Sequence, residues 1–135
     1  MGRRTPQASL KRIFLDAAAK LPEDDGRAAV VGEALDHLQK GFDSHYAAGE
    51  ASDDDILIGD NSYAWAVETI ARLDEPRFVA VASRMIRDGA GRVASGGAVD
   101  LELWIAHLAR LLDIISGEGY RRSEERIRVA ASGGT

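Results

Sequence analysis

Asp53-Asp54-Asp55-Ile56-Leu57-Ile58-Gly59-Asp60-Asn61-Ser62-Tyr63-Ala64-Trp65-Ala66-Val67-Glu68-Thr69-Ile70-Ala71-Arg72-Leu73 is the stretch on which the reading of the fold turns. Ser52 is placed to cap a helix. The three aspartates fill the first turn behind it, where carboxylates face the positive end of the helix dipole. With Asp60 at the origin and 100° per residue, Ile56, Val67, Ala71 and Ala64 all fall within about 40° of it. Leu57, Ile58, Tyr63, Trp65, Ala66, Ile70 and Leu73 occupy most of the remaining surface. Only a narrow stripe with Asp54, Asn61, Glu68 and Arg72 is plainly polar. A helix apolar nearly all round belongs in a protein's interior, so this helix is expected at the centre, with Asp60 buried. A buried carboxylate needs a partner. Asp60 is then a structural ion pair, a cap to a neighbouring helix end, or a functional carboxylate facing a cavity. Gly59 beside it favours close helix approach in each case. A buried pair predicts that Asp60→Ala costs roughly 3 kcal/mol or more.

The same period recurs upstream. Leu10, Ile13, Phe14, Ala17 and Leu21 share one face of a first helix, which Pro22 and an acidic turn stop. Ala28, Val31, Leu35, Leu38 and Phe42 line a second, expected to end near Gly49. Downstream, Pro76 opens a fourth helix at a position where its missing N–H costs nothing. Phe78, Ala82, Met85 and Ile86 form its inner face, and a glycine-rich stretch from Gly89 ends it. Asp100 caps a fifth helix with Leu101, Trp104, Ile105, Leu108, Leu112 and Ile115 inward, ended by Gly117. These spacings predict an all-α single bundle of about five helices over residues 8–119. Residues 1–7 are expected to be disordered, and residues 120–135 to form a charged, partly helical or disordered tail.

Composition bounds the function. The chain has 135 residues, about one domain, with 45% apolar and 29% charged residues, the balance of a globular chain and not of a disordered one. It has no cysteine, which excludes disulfides, thiolate zinc sites and cysteine nucleophiles. The net charge of −5 argues against nucleic acid as a partner. The basic N-terminus is followed by no apolar run, so no signal peptide is expected, and no run is long enough for a membrane span. A soluble, cytoplasmic protein is the expectation.

Chemistry-bearing clusters are sparse. His37 and His45, with Asp36 and Asp43 nearby, contain metal-ligand residue types, but their spacing is not that of a zinc helix. Exposed or capping histidines are the simpler reading, and no metal or cofactor is expected. His107 sits among Trp104, Leu108 and Leu111 as a core-edge residue. The three consecutive aspartates point in different directions, which suits capping better than magnesium. Trp65 and Trp104 are both expected in the core. No phosphate loop or nucleophile elbow is present, and no catalytic residue is assigned.

The run Ile56-Leu57-Ile58-Gly59-Asp60-Asn61-Ser62-Tyr63-Ala64-Trp65-Ala66 resembles a helix of the trans-isoprenyl diphosphate synthases, which carries an apolar-Gly-Asp-x-x-x-Ala pattern. The likeness extends over roughly residues 54 to 116, and Gly59, Asp60, Tyr63 and Ala66 are its motif positions. Both Asp-Asp-x-x-Asp motifs that hold Mg²⁺–diphosphate in that family are missing, and the Lys-Thr expected after Trp104 is absent. The resemblance therefore implies a partial isoprenoid-synthase-like fold and a non-catalytic relative, such as the small subunit of a two-component polyprenyl diphosphate synthase. Its partner would be a catalytic synthase subunit. Without it, a general helical interaction module is implied, self-associating through surplus apolar faces of the fourth or fifth helix. A third possibility, an enzyme using Asp60 with His45 or His107, would require a polar cavity around Asp60.

Overall fold

The computed structural model describes residues 9–23, 26–46 and 53–133. Among these it contains six helices and no strand: α1 (Leu10–Ala18), α2 (Arg27–Tyr46), α3 (Asp53–Ala71), α4 (Pro76–Ala94), α5 (Leu101–Ser116) and α6 (Tyr120–Ser132). No helix of the described residues is long and apolar enough to cross a membrane. The expectations for residues 1–7, for a cap at Ser52 and for a second-helix end near Gly49 fall outside the described residues.

Local chemistry sets most boundaries. The Ser9 hydroxyl accepts from the Arg12 amide at 3.1 Å and starts α1. Glu75 accepts from the Arg77 amide with Pro76 in the first turn, and Asp100 accepts from the Leu103 amide at 3.1 Å. Each satisfies an amide that the first helical turn leaves without a partner. Gly117 ends α5 in the left-handed conformation at φ 68°, which costs glycine little. α4 runs five residues beyond the expected stop at Gly89. Gly89 lies buried on its inner face, so packing outweighs the glycine penalty of about 1 kcal/mol.

α2 and α5 form the middle of the bundle. Val31, Ala34, Leu35, Leu38 and Phe42 of α2 meet Trp104, Ile105, Leu108, Leu111 and Leu112 of α5 in one core cluster. Leu10, Ile13 and Phe14 close it from α1, and Phe78, Val81, Ala82 and Met85 from α4. The Leu10 amide also donates to the Gln39 side chain at 2.9 Å, fixing the start of α1 on α2.

Two expectations are corrected here. The bundle expected to have about five helices has six: residues 120–135, expected as a charged, partly helical or disordered tail, contribute α6, whose Ile127 is fully buried and which lies on α1 and α5. Arg126 grips Glu118 through two bonds of 2.7 and 3.1 Å, and Arg128 ties α6 to Glu102 of α5 at 2.8 Å. With α6 in place, Leu103, Ile114 and Ile115 pack against the core, so α5 has no surplus apolar face.

The second correction concerns α3. It is not central: it touches only α2 and α4 among the described helices. Its inward stripe is small, with Gly59, Ala66 and Thr69 buried and Ser62 half-buried, joined by Ile70 at its lower end. A stripe of small side chains lets two helix backbones approach closely, whereas a bulky stripe holds them apart. The large residues Ile56, Leu57, Ile58 and Trp65 are consequently turned outward.

Candidate functional site

α2 and α3 pack antiparallel through two reciprocal contacts. Gly41 of α2 receives the ring of Tyr63, and Gly59 of α3 receives the ring of His45. A methyl group at either glycine would occupy space held by that ring. Each helix thus carries a glycine and, four residues later, the ring that fills the other's glycine.

His45 adds polar ties across the same seam. Its Nε2 lies 3.1 Å from the Ile56 carbonyl oxygen and 3.3 Å from Asp60 Oδ1. A carbonyl can only accept, so Nε2–H is the donor. The ring also meets Tyr63 edge-on at 4.9 Å. From Tyr63 the aromatic contacts continue inward. Phe42 lies 5.6 Å from Tyr63 and stacks on Trp104 at 4.4 Å with the planes 10° apart, and Trp104 lies 6.2 Å from His107. The line ends where His107 Nε2–H donates to Asp88 Oδ2 at 2.8 Å. Five rings therefore connect α3, through α2 and α5, to a carboxylate on α4.

The four motif residues separate. Gly59 and Tyr63 are in the seam and Ala66 is buried behind them. Asp60 is not buried: its side chain is 62% exposed and lies against His45. It stands well round the helix from the small inward stripe, on a face that no described helix covers. The structural ion pair is thus present but at the surface, where such pairs contribute between nothing and about 1 kcal/mol. Asp60→Ala is expected to shift the urea-unfolding free energy by less than about 1 kcal/mol. A loss of several kcal/mol would return Asp60 to the interior.

Neither histidine pair has the form of an open catalytic dyad. His107 is 4% exposed, and Nε2 of His45 is committed to Ile56 and Asp60. Both pairs tie helices together. His37 lies against Trp65 at 6.4 Å, away from His45. Among the described residues no cluster of three or more histidine and acidic side chains could hold a metal ion. A groove of about 620 Å³ between α1 and α6 is lined by Ala17, Lys20 and Val129 together with Arg122 and Arg126. Those two arginines are held by Glu125 and Glu118.

His107 carries a pH dependence. Burial pushes its imidazole below the ordinary value of 6.5; the Asp88 bond and charge oppose this, while Arg110 and Arg84 reinforce it. Its Nδ1 is buried without a hydrogen-bond partner among the described residues, so an added proton there has no acceptor. The unfolded chain binds that proton below about 6.5 and the folded chain resists it, so stability falls as pH drops through 6.5. The thermal midpoint of the wild-type chain is expected to fall more between about pH 7.5 and 5.5 than that of His107→Gln, which cannot take up the proton. Parallel curves would remove His107 from the acid response.

The surface feature that stands out is on α3. Ile56, Leu57, Ile58 and Trp65 are 45–60% exposed along one helix, whereas of the other exposed large apolar residues described, Val93 is on α4 and Tyr120 and Val129 are at opposite ends of α6. Sequence reasoning found surplus large apolar residues on the third, fourth and fifth helices and expected association through the fourth or fifth. It also missed Gly41 and Asp88. The Gly41–His45 and Gly59–Tyr63 spacings were the available signal for the seam; nothing in the sequence pairs Asp88 with His107. No family model, curated protein or solved structure matches this chain.

Proposed function

We propose that this chain is a non-catalytic helical association module whose contact surface is the outward face of α3. One observation carries the reading: Leu57, Ile58 and Trp65 stand exposed within about 100° of arc on a helix that touches only α2 and α4 among the described helices. Each is already about half buried, so a partner that covered the rest would add roughly half of the 1.5–3 kcal/mol that full burial of a large apolar side chain contributes. On that face the polar stripe of Asp54, Asn61, Glu68 and Arg72 runs between Leu57 on one side and Ile58 and Trp65 on the other, so it offers a partner charged and apolar groups together.

The narrower reading is an accessory subunit of a polyprenyl diphosphate synthase. Its support is the resemblance of Ile56 to Ala66 to that family and the lack of both aspartate-rich motifs. Without those carboxylates no Mg²⁺–diphosphate can be held for ionisation of an allylic substrate.

The test uses the wild-type chain and Leu57→Asp/Trp65→Asp, both checked for helicity by circular dichroism. Each is measured by light scattering, alone and with a catalytic polyprenyl synthase subunit from the same genome. Loss of all association in the double variant is the expected result; unchanged association would move the contact surface elsewhere. Formation of a complex with altered prenyl product length supports the narrower reading. Turnover of an allylic diphosphate by the chain alone with Mg²⁺ would overturn the non-catalytic assignment.

A further inference from the structure

We propose that the outward face of α3 pairs with the α3 of a second copy, antiparallel about a two-fold axis. This rests on the reading of α3 as an association surface and names its occupant. Asp54, Ile58, Asn61, Trp65, Glu68 and Arg72 are all exposed. Their spacings of four, three, four, three and four residues keep them within about 80° of arc on one side of the helix.

The stripe is self-complementary. A two-fold axis requires that whatever residue i meets on the partner, that partner residue's counterpart meets residue i in return. Placing the axis opposite Tyr63 sets Asp54 of each copy against Arg72 of the other, so both ends of the pair close with opposite charges. Asn61 meets Trp65 next to the axis on both sides. Ile58 lies between that ring and the aliphatic stem of Glu68, and Leu57 flanks it. None of the ion pairs among the described residues uses Asp54 or Arg72. Helix-dipole preference accounts for an acid at the start of α3 and a base near its end. On the stripe of Ile58 and Trp65 the two are placed to meet each other's counterpart on a copy. The axis near Tyr63 places the contact on the outer side of the α2–α3 seam, where no described helix obstructs it.

One helix per copy gives a small interface, so the dimer is weak and reversible. Sedimentation equilibrium of the full chain over roughly 1–200 µM covers the range in which such a contact dissociates. The wild-type chain is expected to pass from monomer to dimer. Asp54→Arg or Arg72→Asp alone introduces two like-charge contacts per dimer and should weaken it about tenfold. The double reversal Asp54→Arg/Arg72→Asp restores both pairs and should return the affinity to within about twofold. Trp65→Ser should abolish the dimer. Asp54, Trp65 and Arg72 are exposed, so the variants should keep wild-type helicity by circular dichroism. A wild-type chain that stays monomeric, or a dimer that the double reversal does not restore, overturns self-pairing. A monomeric wild-type chain that still binds another helical protein, and loses it in Leu57→Asp/Trp65→Asp, overturns the pairing while leaving the association reading standing.

Discussion

Trp104→Ala is expected to lower the free energy of unfolding by roughly 3–5 kcal/mol, while Trp65→Ala should cost under about 1 kcal/mol. The two tryptophans read alike in the sequence, yet the structure separates them. Trp104 is 4% exposed, stacks on Phe42 and abuts His107. Removing it breaks the aromatic line between Phe42 and His107. The cavity lies where α2 meets α5, the two helices that form the centre of the core, and neighbours can collapse into it only partially. Trp65 is 53% exposed and touches His37 at the surface, so its loss leaves no cavity. Urea unfolding at a concentration where the chain is monomeric measures both changes. Equal costs at the two positions would contradict the peripheral placement of α3.

Gly41→Val should destabilise the chain by about 2–3 kcal/mol, and the damage should be concentrated in α3. The new side chain would enter the space of the Tyr63 ring, which cannot turn aside because Phe42 and His45 flank it at 5.6 and 4.9 Å. The helices must move apart, and among the described helices α3 has only α4 as a second support. Its amides are therefore expected to lose hydrogen-exchange protection before those of α1 and α5. Gly91→Ala is the matched control. Gly91 is also helical, but a methyl group there meets open space. The substitution should raise stability by about 0.5–1 kcal/mol through helix propensity alone. If both glycine substitutions had the same sign, the seam would not be tight at Gly41.

If α3 pairs through its outward stripe, the two substitutions also separate its roles. Gly41→Val loosens the helix from inside and should weaken association by disordering the surface that associates. Trp65→Ala removes contact area from a helix that stays in place.

The sequence by itself determined that the chain is helical and where most helices begin. Pro76 and Asp100 act on amides within a few residues, so their effect needs no tertiary information. It also determined the buried faces of α1, α2 and α5, because Leu10, Ile13, Phe14 and Ala17, or Val31, Leu35, Leu38 and Phe42, form one apolar stripe against a polar remainder. The orientation of α3 was left open by the same physics. A helix apolar nearly all round has no single apolar side, so periodicity cannot choose which side turns inward. The tertiary structure chose the side with Gly59, Ser62, Ala66 and Thr69, because small side chains let α3 lie close to α2 and let Gly41 and Gly59 accept each other's facing ring. That choice exposed Asp60 and Trp65. It also moved the surplus apolar surface from α5, where α6 covers it, to α3, where no described helix does.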